Sequence, residues 1–313
     1  MNTLDPTLDI VFKLLFGGPK SQRILIALLT AILQPKSPIT KVTILNPEIS
    51  KEQVGDKGIK LDLLVHLDDG TQVNVEMQAK GRKGFGNRAM YYWARTYANQ
   101  LHKGDAYTLL KPVVVIIFTG YRALAANRLH SIFHVLEIHD HVRFEDAFAL
   151  HLVELPRVND PDAVAEALPA VRCWARFLGA HTDEERSEVA KEDPMVNEAQ
   201  AILVELSGDE EVRRLAEERE IELKFWEMEL ELRHEKGREE GREEGREEGR
   251  EEGQAASILK FLTARGIELT TADRARVLAC RDLSVLDELL RRASTLQPGE
   301  DLFEGQPDEP SHD

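Results

Sequence analysis

The chain has 313 residues, 42% hydrophobic, 31% charged and 6% aromatic, which suits one large folded domain or two small ones and excludes a wholly disordered chain. Its two cysteines, Cys173 and Cys280, exclude a disulfide-rich fold and a cysteine zinc cluster. The net charge of −16 hides an asymmetry: residues 1–120 carry fifteen Lys/Arg against ten Asp/Glu, and residues 121–313 carry twenty-five against forty-six. A polyanion partner therefore stays open for the N-terminal part. The sequence shows no apolar run of membrane-spanning length and no basic-then-apolar leader, so the expectation is a soluble, cytoplasmic protein with no membrane partner.

Helical spacing of apolar residues runs from Asp9 to Phe16 and stops at Gly17-Gly18-Pro19. A second helix, Arg23 to Leu33, is apolar on most faces and ends before Pro35. Ile39 to Leu45 alternates as a strand, and Asn46-Pro47 turns the chain, with Asn46 and Glu48 shaping that turn. The segment Ile59 to Lys80 holds two alternating runs around Asp68-Asp69-Gly70, a hairpin signal. A three-residue loop pairs Leu67 with Thr71, Val65 with Val73, Leu63 with Val75 and Leu61 with Met77 on one apolar face. The other face then pairs His66 with Gln72, Leu64 with Asn74, Asp62 with Glu76 and Lys60 with Gln78. A two-residue loop would split the apolar face, so the three-residue register is expected.

A helix follows over Asn87 to Leu101, with an apolar stripe of Met90, Tyr91, Ala94, Tyr97, Ala98 and Leu101; Tyr91, Tyr92 and Trp93 read as helix-packing residues. Leu110 to Thr119 reads as a buried strand. This order predicts an α/β fold, a mixed sheet with helices packed on it. Beyond it, Ile132 to Leu136 and Ala147 to Leu155 read as short strands, and Ala163 to Leu168, Val171 to Leu178 and Pro194 to Leu206 as helices.

A long charged helix is expected from about Asp209 to Lys236, with Ile221, Phe225, Met228 and Leu232 on one face, a coiled-coil-like stripe suited to a homodimer or higher self-association. The tetrapeptide GREE then repeats four times from Gly237 to Glu252 with no apolar residue, and reads as a solvated helix or flexible spacer. Ser257 to Ala264, Thr271 to Ala279 and Leu283 to Ala293 form a small helical module, and residues 297–313 an acidic disordered tail. The expected division is 1–205, 206–256, 257–296 and 297–313.

Asp62 and Glu76 stand opposite each other on adjacent strands about 4.8 Å apart, close enough for one divalent cation. Mg²⁺ or Mn²⁺ suits such oxygen ligands and would relieve the repulsion between them; a solvated hairpin face is the alternative. Gln78 shares that face, and Lys80 lies two residues further on. His66 is four residues from Asp62, about 13 Å along the strand, and is not expected to act as a base. Arg82, Lys83, Arg88 and Arg95 form a basic run that suits a DNA backbone, with ordinary solvated charge as the alternative.

Six blocks in one order, DIVFKLLFG from Asp9, AILQ with LNPE ending at Glu48, KLDLLVHLDDG, VNVEMQ, RAMYYWARTYANQL with Gly104 and Tyr107, and LLKPVVVIIFTG, resemble the Rpn family of recombination-promoting nucleases and transposases, within the PD-(D/E)XK nuclease superfamily. The GREE repeats and the module after them also resemble C-terminal regions of such proteins. The resemblance implies a restriction-endonuclease-like sheet over residues 5–120 and Mg²⁺-dependent hydrolysis of DNA phosphodiesters, in the service of recombination. It places Asp62 and Glu76 as catalytic metal ligands and puts Gln78 at the superfamily's lysine position, a change common in Rpn-like families. Lys80 is an auxiliary candidate to replace that lysine, and Asp9 is open between an auxiliary acidic ligand and a helix N-cap. The alternative is a catalytically degenerate nuclease fold that binds DNA or assembles proteins.

Overall fold

The computed structural model describes residues 3–45, 63–81, 84–297 and 299–303. They form two compact units, Met1–Leu223 and Lys224–Asp313.

In the first unit, α1 (Asp9–Gly17) and α2 (Gln22–Leu33) precede β1 (Val42–Ile44), β2 (Leu63–Leu67) and β3 (Gln72–Gln78). Then come α3 (Phe85–Ala98), β4 (Val113–Thr119), β5 (His130–Phe133) and β6 (Phe148–Glu154). The remaining helices are α4 (Pro161–Val164), α5 (Pro169–Gly179), α6 (Asp183–Ala190), α7 (Pro194–Gly208) and the start of α8 (Glu210–Ala264). The strands make one mixed sheet in the order β1-β2-β3-β4-β6-β5. β1, β2 and β3 are antiparallel neighbours, β3, β4 and β6 run parallel, and β5 returns antiparallel on β6. This is a helix-flanked mixed sheet of the restriction-endonuclease-like kind.

The hairpin has the expected register: Leu63 opposes Val75, Val65 opposes Val73 and His66 opposes Gln72. Gly70, at φ 88°, takes the left-handed turn position that a side chain would strain. Leu63, Val65, Val73, Val75 and Met77 are buried in the main core with Ile10, Phe12, Phe16, Leu28 and Trp174. The expected pairings of Leu61 with Met77, Asp62 with Glu76 and Lys60 with Gln78, and the turn residues Asn46 and Glu48, lie outside the described residues.

The alternative of a solvated hairpin face and the expected packing side of the next helix are both corrected. The second face of β3 is not solvated: Asn74, Glu76 and Gln78 are each buried to 7% exposure or less. β3 is an interior strand, and α3 covers that face through Phe85, Ala89 and Trp93, against Val115, Ile117 and Leu152. The buried side of α3 is therefore not the Met90/Tyr91 stripe, and both of those residues are exposed. The side turned to the sheet is instead the one on which Ala89 is buried and Trp93 meets Phe148 edge-on and donates from Nε1 to the Ala147 carbonyl.

In the second unit, Ala255, Ile258 and Leu262 of α8 pack with Val277 of α9 (Thr271–Ala279) and with Leu286, Leu289 and Ala293 of α10 (Leu283–Thr295). Thr270 and Asp282 cap the last two helices by accepting backbone N–H bonds. Leu302 and Phe303 join this core, and Arg276 lies 4.3 Å over the Phe303 ring, so the expected disordered tail does not begin at residue 297. Residues 304–313 lie outside the described residues. The GREE segment is helical, and residues 231–250 are exposed throughout. Among the described residues, no helix is long and apolar enough to cross a membrane.

Candidate functional site

The parallel strands β3, β4 and β6 end level with one another, with Gln78, Thr119 and Glu154 in register. Carboxyl ends of parallel strands are where open α/β sheets hold their ligands, since the chain leaves the sheet there and loops enclose a crevice. Glu76 and Gln78 alternate onto the α3 side of β3 and so are brought together: Gln78 Nε2 donates to Glu76 Oε1 at 2.9 Å. Arg88, one turn into α3, donates from Nη2 to the same oxygen at 3.2 Å. Its guanidinium also lies 6.0 Å from the centre of the Tyr92 ring. The far end of the Gln78 amide is held too, because the Tyr121 hydroxyl donates to Oε1 at 3.1 Å.

The segment after β4 is fixed from two sides. Gly120 N–H donates to the Gln78 carbonyl at 2.9 Å, and a Cβ on Gly120 would lie 2.4 Å from the Ala79 carbonyl oxygen. Only glycine permits that approach. Thr119 Oγ1 donates to the Tyr121 carbonyl at 2.8 Å. At the end of β6, the fully buried Glu154 carboxylate accepts the backbone N–H groups of Ala123 and Leu124 and pairs with Arg157 at 3.0 Å. Arg157 in turn donates to Asn127 and to the Leu124 carbonyl. Burying two charges is costly, and it is tolerated here because these hydrogen bonds satisfy both groups.

The other sequence-derived candidates are more scattered. Asp9 is the first helical residue of α1, with Leu8 rather than Asp9 in the cap position. Its carboxylate is clamped by Arg219 of α8, with Nε to Oδ1 at 3.0 Å and Nη2 to Oδ2 at 2.6 Å. The bond to Asp9 raises the pKa of Arg219. Lys80 is exposed two residues beyond β3, Arg95 is exposed on α3, and His66 is half-buried at the opposite end of the hairpin, opposite Gln72. Asp62, Arg82 and Lys83 lie outside the described residues.

Sequence reasoning missed Tyr121, Glu154, Arg157 and Arg219. A signal existed for two of them: Tyr121 and Glu154 stand at the ends of apolar runs, where parallel strands deliver side chains to a crevice. The Glu76 carboxylate offers oxygen of the kind a hard divalent cation takes, whereas the Gln78 amide turns its nitrogen toward Glu76 and its carbonyl toward Tyr121. Among the described residues, no group of three His, Cys, Asp or Glu comes together as a metal site.

No curated protein and no solved structure matches the chain. The family model described as PD-(D/E)XK nuclease family transposase matches residues 6–233, which span the sheet, the helices on both of its faces and the Glu76-Met77-Gln78 strand end. With the match covering most of its length and the strand order and buried acidic strand end described above, this chain belongs to the PD-(D/E)XK nuclease family transposases.

Proposed function

We propose that the protein is a DNA-binding module on a nuclease fold, engaging the phosphodiester backbone at the carboxyl ends of β3, β4 and β6. The observation that carries this is Glu76 Oε1, held at once by Gln78 and by Arg88. A guanidinium beside this buried carboxylate neutralises it from within the protein, and it leaves a site that accepts a phosphate without first needing a metal. Arg95 adds an exposed cation on α3, and Arg82 and Lys83 precede that helix in the sequence. Contacts of this kind read backbone and not base sequence.

A second reading, metal-dependent hydrolysis of DNA, is favoured by the Gln78 amide, which Tyr121 and Glu76 hold at both ends. Asp62 and Glu76 would hold Mg²⁺ or Mn²⁺, which supplies Lewis-acid polarisation of the phosphate and a lowered pKa for an attacking water. Gln78 does not titrate and so orients the water or the phosphate by hydrogen bonding. Lys80 is the auxiliary cation of this reading. Asp9 is its auxiliary carboxylate, and Arg219 sets its position.

The stripe of Ile221, Phe225, Met228 and Leu232 belongs to the same proposal as a self-association element, because all four side chains are more than half exposed.

Binding of duplex DNA across a salt series, with and without Mg²⁺, tests the main reading, with the products run on a denaturing gel. Salt-dependent, sequence-indifferent binding without product is expected. Absence of binding at low salt rejects the main reading. Product that disappears with Glu76→Ala selects hydrolysis instead.

A further inference from the structure

α3 carries two arginines and no carboxylate, in a chain whose net charge is −16. Between Gln78 and Leu136 the sequence has one acidic residue, Asp105, against nine Lys/Arg, so this segment attracts a polyanion although the chain as a whole does not. On a helix of 3.6 residues per turn, Arg88, Tyr91 and Arg95 fall within about 60° of one another. Tyr91 follows Arg88 by three residues and precedes Arg95 by four, so the three form one row of cation, ring and cation over about 10 Å of helix. The row begins at the strand end, where Arg88 pairs with Glu76 at 3.2 Å. The Arg88 guanidinium lies 6.0 Å from the centre of the Tyr92 ring, and the Tyr91 ring meets Tyr92 at 5.9 Å with the planes 61° apart. The sheet side of α3 is filled by Phe85, Ala89 and Trp93. Tyr91 is left 58% exposed, Arg95 is exposed as well, and among the described residues no carboxylate pairs with Arg95.

We propose that this row is a subsite for single-stranded DNA, in which Tyr91 stacks an unpaired base and Arg88 and Arg95 meet the phosphates that flank it. The inference rests on the phosphodiester reading above and names its substrate class. Two features select an unpaired strand. A duplex keeps its bases stacked on one another, whereas a free base offers its π-face to an exposed ring, whatever the base. The preference is therefore for strandedness and not for sequence, in keeping with the backbone contacts. The charge on this flank also has one sign, so the occupant that brings a flat apolar face to Tyr91 brings negative charge with it. Because Arg88 ends the row and pairs with Glu76, a strand lying across Tyr91 is led to the end of β3.

The full chain is titrated into a labelled single strand of mixed sequence and into its duplex, at low salt and without metal, with binding read by fluorescence anisotropy. The single strand should bind more tightly than the duplex. Tyr91→Ala should lose about fivefold or more of the single-strand affinity and leave the duplex affinity nearly unchanged, and Tyr91→Phe, which keeps the ring, should restore it. Arg95→Ala should lower the salt slope for the single strand by about 0.7. Equal binding of the two forms, tighter binding of the duplex, or a Tyr91→Ala loss of the same size on both overturns this inference and leaves the phosphodiester reading standing. Binding of neither form rejects that reading and this inference together. Tighter binding of an RNA strand of the same sequence overturns DNA as the occupant. If Tyr91→Ala loses the parental circular dichroism spectrum, Tyr91→Trp decides: its emission beyond that of the parent should be quenched by the single strand and not by the duplex, and an unquenched signal overturns the inference.

Discussion

The phenolic hydroxyl of Tyr121 donates to Oε1 of Gln78 across 3.1 Å, and thereby turns the amide nitrogen toward Glu76. One residue follows β4 and the other ends β3, so the bond joins two strand ends that the chain reaches 43 residues apart. Tyr121→Phe should cost about 1 kcal/mol of stability, the net worth of an ordinary hydrogen bond. It should also lower Mg²⁺-dependent DNA tightening or turnover several-fold, and in combination with Gln78→Ala should add little to the single change. A double-mutant cycle in DNA affinity checks this. Full additivity would show that the two residues act separately.

Glu76 carries the negative charge of the site, and Arg88 answers it. Glu76→Ala should therefore bind DNA several-fold more tightly without metal, since Arg88 is released from its pairing to meet phosphate, and lose any enhancement by Mg²⁺. Asp62→Ala should lose the same enhancement, and any cleavage with it. Gln78→Ala should weaken the enhancement, whereas Gln78→Lys should keep it by restoring a cation at the strand end. Titrations of Mg²⁺ at fixed DNA separate these outcomes.

Gly120→Ala would push a methyl group against the Ala79 carbonyl, whose oxygen lies 2.4 Å from the Cβ position. Both partners are backbone, so neither can rotate away. A loss of about 1–3 kcal/mol, as for overpacking elsewhere, is expected in the denaturant midpoint, with loss of the Tyr121 contact. An unchanged midpoint would mean that the strand ends separate freely.

His130 Nε2 and His151 Nδ1 lie 3.0 Å apart between β5 and β6. Burial pushes their pKa values down, to about 4 for His130 and to about 3 for His151, where the neighbouring imidazoles His130 and His134 add to the effect. Between those values and the ordinary 6.5, the unfolded chain binds more protons than the folded one, so stability rises with pH. It is complete above pH 6.5 and falls on acidification toward pH 4, by about 1–2 kcal/mol per histidine at pH 5. Urea unfolding at pH 7 and pH 5 should show that loss, and a His130→Leu, His151→Leu protein should show a smaller one.

Along α8, residues 231–250 have no buried side chain, and a glycine recurs every fourth residue from Gly237 to Gly253. Each glycine costs about 1 kcal/mol relative to alanine, and the Glu–Arg neighbours return only ~0.2–0.5 kcal/mol per pair. Amide exchange should therefore be fastest in this stretch and slow around Ile258 and Leu262, which sit in the core of the second unit. Hydrogen exchange read by mass spectrometry checks this, and equal protection along the helix would show that a partner covers the repeat.

Local pattern was enough for the hairpin. Alternation has a period of two, the loop has three residues, and only one register puts Val65 opposite Val73 without splitting the apolar face, so the sequence by itself determined that pairing. The same holds for the uninterrupted Val and Ile of β4, for the three helices of the second unit, and for the Glu76-Met77-Gln78 strand end that marks the family. Tertiary structure alone decided what those residues meet. Glu76 and Gln78 became buried because a parallel strand arrived on their outer side, and Arg88 became their partner because α3 crosses the sheet at Ala89. Arg219 reached Asp9 from 210 residues away, and Tyr121 reached Gln78 across a strand connection. Val135, Leu136, Val142 and Phe144 are apolar, yet they stand in solvent because they lie between β5 and the point where β6 joins β4 at Phe148. A residue's own spacing records which side of its element it occupies, whereas burial and partnership depend on segments that only the folded chain brings alongside.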